Sequence, residues 1–450
     1  MSESATDSAQ LELRRATVRK VSWRLLPLLF ALFIASFLDR TNLGVASLQM
    51  NRDLALSATA YAFGAGVFYF GYALFEVPSN LILARVGARV WIARIAITWG
   101  IAASAMIFVR GTTSFYALRF LLGLAEAGFF PGIVWYLGRW FPERERARAL
   151  SWFMIGIPLA GVIGGPVGGA LLSLSGRFGL SGWQWLFLME GLPPIVLGFV
   201  ALRFLTDTPE KAAWLTPEQR GWLVGEMYRE RAAGASAERA DVKRALLGGV
   251  TWWLALLYLF ALSAELGPIF FGPILVRDAL SLGDFGTGLV MGVIGIAGVA
   301  GMLVNGSHSD RTGERFVHSA APLVVVGAGF AMIALGGPVW TIAGLIMVAI
   351  AINAFLPAFW CVPSAMFTGT AAAAAIALIN SIGNLGGYLG PMLLGKAKDA
   401  TGSYSTGMLI LGALSLAAAA MTMLLRLQFP QKLLTAVYPR VSAKSVEKQL

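Results

Sequence analysis

Charged side chains set inside apolar runs are the residues of this sequence that could do chemistry. Asp39 and Arg40 interrupt a run that follows Arg24, Arg119 and Glu126 lie in a second, and Glu265 lies in a third. A charge at the centre of a bilayer costs about 2.5–3.5 kcal/mol on insertion scales, so each must pair or face a cavity. Asp39 is about 15 residues beyond Arg24, roughly 20 Å along a helix. Arg40 is rotated from it by about 100°, so the two point in different directions, one into a cavity and the other against a neighbouring helix. Arg119 and Glu126 are seven positions apart. That is nearly two turns, which puts them on one helix face about 10 Å from each other. The planar fork of Arg119 suits a carboxylate. An ionised carboxylate is disfavoured in apolar surroundings, so Glu126 could load a proton on one side of a membrane and release it on the other. The alternative is that these four residues form only structural pairs between helices.

Glu265 sits near the middle of the run 250–276. It reads either as a second protonatable site, or contact to a hydroxyl-rich or amine-bearing solute, or as a carboxylate satisfied by a neighbouring Arg or by backbone. An ionised Glu265 would repel a purely anionic solute. Tyr72, Trp360, Asn380 and Asn384 are candidate cavity contacts. The two asparagines are four apart, on one helix face, and offer amide donors and acceptors. A polar helix–helix contact is the alternative for them. Glu76 and Asn80 read as structural or gating, and Glu190, after Trp183-Gln184-Trp185, as structural.

The elements that must position these residues follow from composition. The 450 residues are 57% hydrophobic and 13% charged, with mean hydropathy +0.71. A soluble chain carries roughly 25% charged residues. A membrane-crossing helix needs roughly 20 apolar residues, and about twelve such segments can be marked. They are 23–48, 59–84, 91–109, 115–137, 149–174 and 184–204, then 250–276, 285–305, 317–335, 340–363, 372–396 and 407–425. The net charge of +11 is accounted for by Lys and Arg in alternate connections and does not call for nucleic acid. Arg85 and Arg89, Arg139, Arg144, Arg146 and Arg148, and Arg311 and Arg315 share one side with the basic N-terminus and with Lys432, Arg440, Lys444 and Lys448 in the tail. Both termini are expected on the cytoplasmic face of a bacterial inner membrane. The first run leads into Asp39–Arg40 without a small-residue cleavage site, so it reads as an uncleaved membrane helix rather than a signal peptide. Cys361 is the only cysteine and His308 and His318 the only histidines, so neither a disulfide nor a Cys/His metal site is expected. Phosphate-binding glycine loops and nucleophile elbows are missing too, and the chain is not expected to be an enzyme.

Between the halves, residues 206–247 are polar. Thr216-Pro217-Glu218-Gln219 reads as the start of a short amphipathic helix. Its charges read as a solvated face. Arg85-Val86-Gly87-Ala88-Arg89 returns as Arg311-Thr312-Gly313-Glu314-Arg315, 226 positions on, and Gly161, Gly165 and Pro166 return 225 on as Gly386, Gly390 and Pro391. The second six helices therefore repeat the first, and Glu265 is the counterpart of Asp39. The expected organisation is an all-α integral membrane protein of two pseudo-symmetric six-helix bundles. Its parts are an N-terminal segment 1–22, a bundle 23–205, a linker 206–247, a bundle 248–426 and a tail 427–450. Two bundles about an axis normal to the membrane are a transporter architecture, with the solute site between them.

Gly306-Ser307-His308-Ser309-Asp310-Arg311-Thr312-Gly313-Glu314-Arg315 fits the loop pattern G-x-x-x-D-R-x-G-x-R, and on it the chain resembles the major facilitator superfamily. The first-half copy has Ala84 where Asp is usual and should lack one carboxylate–Arg clasp. More narrowly, the chain resembles the anion:cation symporters, which include tartrate, phthalate, hexonate and 4-hydroxyphenylacetate permeases. That likeness rests on 37–44 (FLDRTNLG), 71–80 (GYALFEVPSN), 119–132 (RFLLGLAEAGFFPG) running on to Trp140-Phe141-Pro142, and 380–387 (NSIGNLGG). It implies secondary transport driven by a proton gradient, with no cofactor: uptake of a small organic anion with protons, by a chain acting as a monomer. Asp39 and Glu126 match proton-coupling positions, and Arg40 and Arg119 match basic positions tied to substrate or coupling. Arg85, Arg89, Asp310, Arg311 and Arg315 would clasp the halves as a gate. An efflux antiporter of amphipathic compounds on the same fold is the alternative.

Overall fold

The computed structural model describes residues 2–142, 145–146, 149–150, 153, 155–234, 239–367 and 369–429. Arg144, Arg148 and the tail cations from Lys432 onward lie outside the described residues. Among the described residues there is no strand. The helices are α1 (Ser2–Asp53), α2 (Ala58–Val86), α3 (Ala88–Ser104), α4 (Thr112–Glu126), α5 (Phe129–Trp140), α6 (Gly156–Leu172), α7 (Gly182–Phe204), α8 (Pro217–Gly234), α9 (Arg239–Leu247), α10 (Gly249–Leu280), α11 (Asp284–Thr312), α12 (Phe316–Leu335), α13 (Pro338–Met366), α14 (Gly369–Asn384), α15 (Gly386–Thr401) and α16 (Ser405–Gln428).

Ten stretches of the described chain are helical, long and apolar enough to cross a bilayer, one of them formed by α4 and α5 together. The remaining two expected spans are the shorter α6 and the interrupted pair α14–α15. The repeat is visible in the elements: α2 and α11 each have 29 residues, and α11 starts 226 positions after α2. Helix α1 runs from Ser2 through the N-terminal segment and on into the first span. Thr17 and Ser22 turn their hydroxyls back onto the carbonyls of Leu13 and Val18, so their polar groups are satisfied inside the helix.

In the linker, Thr216 and Gln219 exchange side-chain-to-backbone bonds at 3.2 and 3.3 Å, the capping box that starts α8. Leu223 and Met227 are buried, while Arg146 of the first bundle bonds Glu230 at 3.2 Å. One face of α8 is thus docked rather than wholly solvated.

The bundles meet through α1 with α10, α2 with α15 and α6 with α11. They are tied together at the end that carries the α1–α2 turn. Gln49 donates to Asp284 at 2.6 Å, and Arg277 donates to the Leu48 carbonyl at 2.6 Å. The first backbone N–H groups of α2, those of Ala58 and Thr59, donate to the Asp399 carboxylate at 3.1 and 2.8 Å. Helix α6 reaches α11 closely because both are glycine at the crossing. A Cβ on Gly165 would stand 2.5 Å from the Gly288 carbonyl oxygen. The linker end lies opposite, and the molecule is closed at the α1–α2 end.

Candidate functional site

Arg40 of α1 and Glu126 of α4 form a buried ion pair. The Arg40 Nε and Nη2 both donate to the same oxygen, Glu126 Oε1, at 3.1 and 2.7 Å, and the Ser36 hydroxyl donates to it at 2.8 Å. Glu126 Oε2 is buried without a partner. The Glu126 side chain is sealed, whereas that of Arg40 is 17% exposed. The Arg40 guanidinium lies 5.2–5.5 Å from the ring centres of Phe37, Phe68 and Tyr72.

Local backbone places Glu126. The expected single span 115–137 is broken immediately after it, because Gly128 adopts φ +82°, where a side chain would be strained and a Cβ would stand 2.4 Å from the Ser79 hydroxyl. Glu126 therefore ends a half-helix. The partial negative charge of that helix end adds to the carboxylate, and the Arg40 guanidinium offsets both. Arg119 and Glu126 do lie on one buried face of α4, yet they are not bonded to each other. Arg119 Nε donates to the Gly64 carbonyl at 3.3 Å, while both Nη atoms are buried without a partner. At 1% exposure, Arg119 is not reachable by a solute in this conformation. Asp39 is buried beside it, with Oδ2 unpartnered, and feels the charges of Glu126, Arg119 and Arg40.

In the second half, Glu265 is half-buried in α10, and no hydrogen bond or ion pair satisfies it among the described residues. It acts electrostatically on Tyr258, nearly two turns earlier on the same face of α10, and on Tyr69 of α2. The Tyr258 ring stacks on Phe359 at 5.0 Å and meets Trp360 edge-on at 4.9 Å. Tyr258 also lies against Gly383, and Tyr69 lies against Gly387, so the two tyrosines flank the interruption at Leu385. Asn380 and Asn384 precede that interruption, half-buried and without hydrogen bonds among the described residues. Ser381, between them, donates to Glu76 at 3.0 Å, a bond that joins the bundles.

Sequence reasoning missed Ser36, Tyr69 and Ser381. Ser36 is four residues before Arg40 and Tyr69 three before Tyr72, so helical spacing from the chosen residues could have found both. Tyr69 is the more informative: its buried hydroxyl is unpartnered, and it senses Arg40, Arg119, Glu126 and Glu265. Glu190 is buried near Asp39 with both carboxylate oxygens unpartnered. That is a costlier placement than the structural contact expected of it.

Of the five gate candidates, Asp310 and Arg315 pair with each other, and no hydrogen bond or ion pair among the described residues joins either to Arg85 or Arg89 of the first bundle. Arg315 donates to Asp310 at 2.6 Å and to the Ser309 hydroxyl at 2.9 Å, all within the second bundle. Arg311 and Arg85 are exposed. Arg89 lies in the first bundle, where its backbone N–H donates to Asp207 at 2.9 Å. Asp207, from the linker, thus bonds the Arg89 backbone, and among the described residues the carboxylate–Arg clasp that Ala84 leaves out is not remade.

Residues 28–391 match the model of the Major Facilitator Superfamily. The chain is 46% identical over 422 residues, 93% of each chain, to an Agrobacterium vitis protein named "Putative tartrate transporter". It is 38% identical over 403 residues, 89% of this chain and 93% of the other, to a quinolone resistance transporter of Acinetobacter baumannii. Its fold is similar, with TM-score 0.75 at 18% identity over 95% of this chain and 99% of the other, to a bacterial homolog of the human lysosomal transporter Spinster in an inward-facing, unoccupied conformation. A repeated pair of helical bundles, a buried cluster of charges within the first, and these relatives together make the chain a multi-pass membrane transporter of the major facilitator superfamily, in its anion:cation symporter-like branch.

Proposed function

We propose that this chain takes up a small organic acid together with protons, by alternating access, across a bacterial inner membrane with both termini and the linker cytoplasmic. The observation that carries this reading is the Arg40–Glu126 pair. On the Nε–Nη2 edge of Arg40 two of its five N–H donors are spent on one carboxylate oxygen, and Arg40 is the half of the pair with any exposure. A solute carboxylate that takes the Nε–Nη2 edge therefore competes with Glu126 for this fork. Protonation of Glu126 removes its charge, weakens both bonds and opens the fork to the incoming anion. Loss of the proton closes the fork and expels the anion. One carboxyl thus makes anion binding conditional on proton binding, which is what symport requires. Asp39 and Arg119 form the buried charge reserve behind the pair. On the second-half wall, Glu265, Asn380 and Asn384 offer donors and acceptors suited to solute hydroxyls, and Tyr258 and Trp360 offer a flat apolar surface. A hydroxylated dicarboxylate, a sugar acid or an aromatic acid fits this lining, and the tartrate relative supports the first.

A second reading is proton-coupled efflux of amphipathic compounds. It is favoured by the unpartnered Glu265 beside an aromatic stack, a pairing suited to a cation, and by the quinolone resistance relative. Reconstitution in liposomes with an imposed pH gradient separates the two. Accumulation of tartrate, an aldonate or an aromatic acid down the proton gradient supports uptake. Gradient-driven movement of an amphipathic cation in the opposite sense, without acid uptake, refutes it.

A further inference from the structure

A cavity of about 660 Å³ lies at the linker end of the first bundle, away from the interface between bundles. Arg24 of α1, Arg89 of α3, Arg203 of α7 and Lys211 of the linker converge on it, against the single carboxylate of Asp207. Asp207 is already committed to the backbone N–H of Arg89. None of the four cationic side chains has a carboxylate partner among the described residues. The Arg24 guanidinium lies over Phe204, 3.7 Å from the ring centre, with Trp214 at 5.7 Å. Trp214 is itself fixed by stacking on Trp140 at 5.4 Å. Arg24 Nε is buried and unpartnered. The cavity is thus a built, positively charged recess whose counter-charge the chain does not supply.

Its place in the fold says where the counter-charge comes from. Arg24 opens the first apolar run and Phe204 closes α7, so the recess lies where the spanning helices leave the hydrocarbon. Trp23 beside it is 75% exposed, and Phe199 and Phe204 present apolar surface on α7. We infer that this recess binds the phosphate headgroup of an anionic phospholipid, with the acyl chains lying along Trp23 and the outer face of α7. Basic recesses between membrane helices suit such headgroups. The bound phosphate, with its single negative charge, would offset part of the repulsion among four cations drawn from α1, α3, α7 and the linker, and would pin the linker to the first bundle.

The test uses the purified full-length chain in detergent. Phosphatidylglycerol is titrated against thermal unfolding, with phosphatidylcholine and inorganic phosphate in parallel. Stabilisation that saturates with phosphatidylglycerol, and is missing with phosphatidylcholine, is the expected result. Arg24→Gln with Arg203→Gln should weaken the apparent affinity by roughly fivefold for each charge removed. Arg89→Gln with Lys211→Gln, which alters only exposed side chains, should act alike and guards against misfolding of the first variant. Equal stabilisation by both lipids overturns the inference, as does unchanged affinity in a folded double variant. Equal stabilisation by inorganic phosphate also overturns it, since the ligand would then be a soluble anion.

Discussion

Glu126→Gln separates the two things that Glu126 is proposed to do, which are to hold Arg40 and to carry a proton. The change keeps the side-chain volume and the Ser36 contact but removes the charge. In the wild-type protein a solute anion must displace two charge-assisted hydrogen bonds, at 3.1 and 2.7 Å, from one oxygen. Hydrogen bonds to charged groups are worth about 1.5–3 kcal/mol, so where Glu126 is ionised the variant should bind the anion more tightly, on the order of 10- to 100-fold. Because a single carboxyl holds the fork, one proton is linked to one anion. Wherever binding takes up that one proton, the wild-type dissociation constant should then rise about tenfold per pH unit, since only the protonated fraction is competent. In the variant it should be flat. Binding is read by tryptophan fluorescence between about pH 5.5 and 8.5, and transport by liposome uptake. The variant should lose uphill uptake yet retain solute exchange. A variant that keeps the wild-type pH slope would refute the competition, and would pass the linked proton to Asp39 or Glu190.

Closure at the α1–α2 end makes two further predictions with one readout, labelling of a Ser47→Cys probe in a Cys361→Ala background. Gly165→Leu forces side-chain atoms into the 2.5 Å approach to Gly288, and overpacking of this kind costs about 1–3 kcal/mol. The buried probe should become labelled faster from that end, and unchanged labelling would show that α6 and α11 are not the seal. Asp399→Ala removes the carboxylate that caps α2 across the interface, worth about 0.5–2 kcal/mol by comparison with ordinary caps, and should raise labelling to a smaller degree. Glu265→Gln should reorder the preference among tartrate, aldonates and aromatic acids without abolishing proton coupling, as competition uptake would show. Arg311→Ala should favour the conformation open at the linker end if Arg311 takes part in the clasp there, and an unaltered labelling pattern would remove it from the gate.

The sequence by itself determined the architecture. Spans of apolar residues long enough for a bilayer, alternation of Lys and Arg between connections, and a repeat at 226 positions leave few other folds open. It also picked out Asp39, Arg40, Arg119, Glu126 and Glu265, because buried charge is costly enough to be conspicuous in a run of Leu, Phe and Gly. Spacing along one helix could not say which charge meets which. Arg119 and Glu126 share a face of α4 as periodicity requires, but Arg40 reaches Glu126 from another helix, 86 positions away in the chain. Only tertiary packing decided that Arg40 is the accessible cation and Arg119 the sealed one. At the break after Glu126, Gly128 is packed so closely on Ser79 of α2 that a Cβ would clash, and the carboxylate that meets the Arg89 backbone comes from the linker. Helical periodicity is a local property and can be read from a string of residues. Pairing between helices depends on how whole bundles settle against one another, and that information is spread over the full chain.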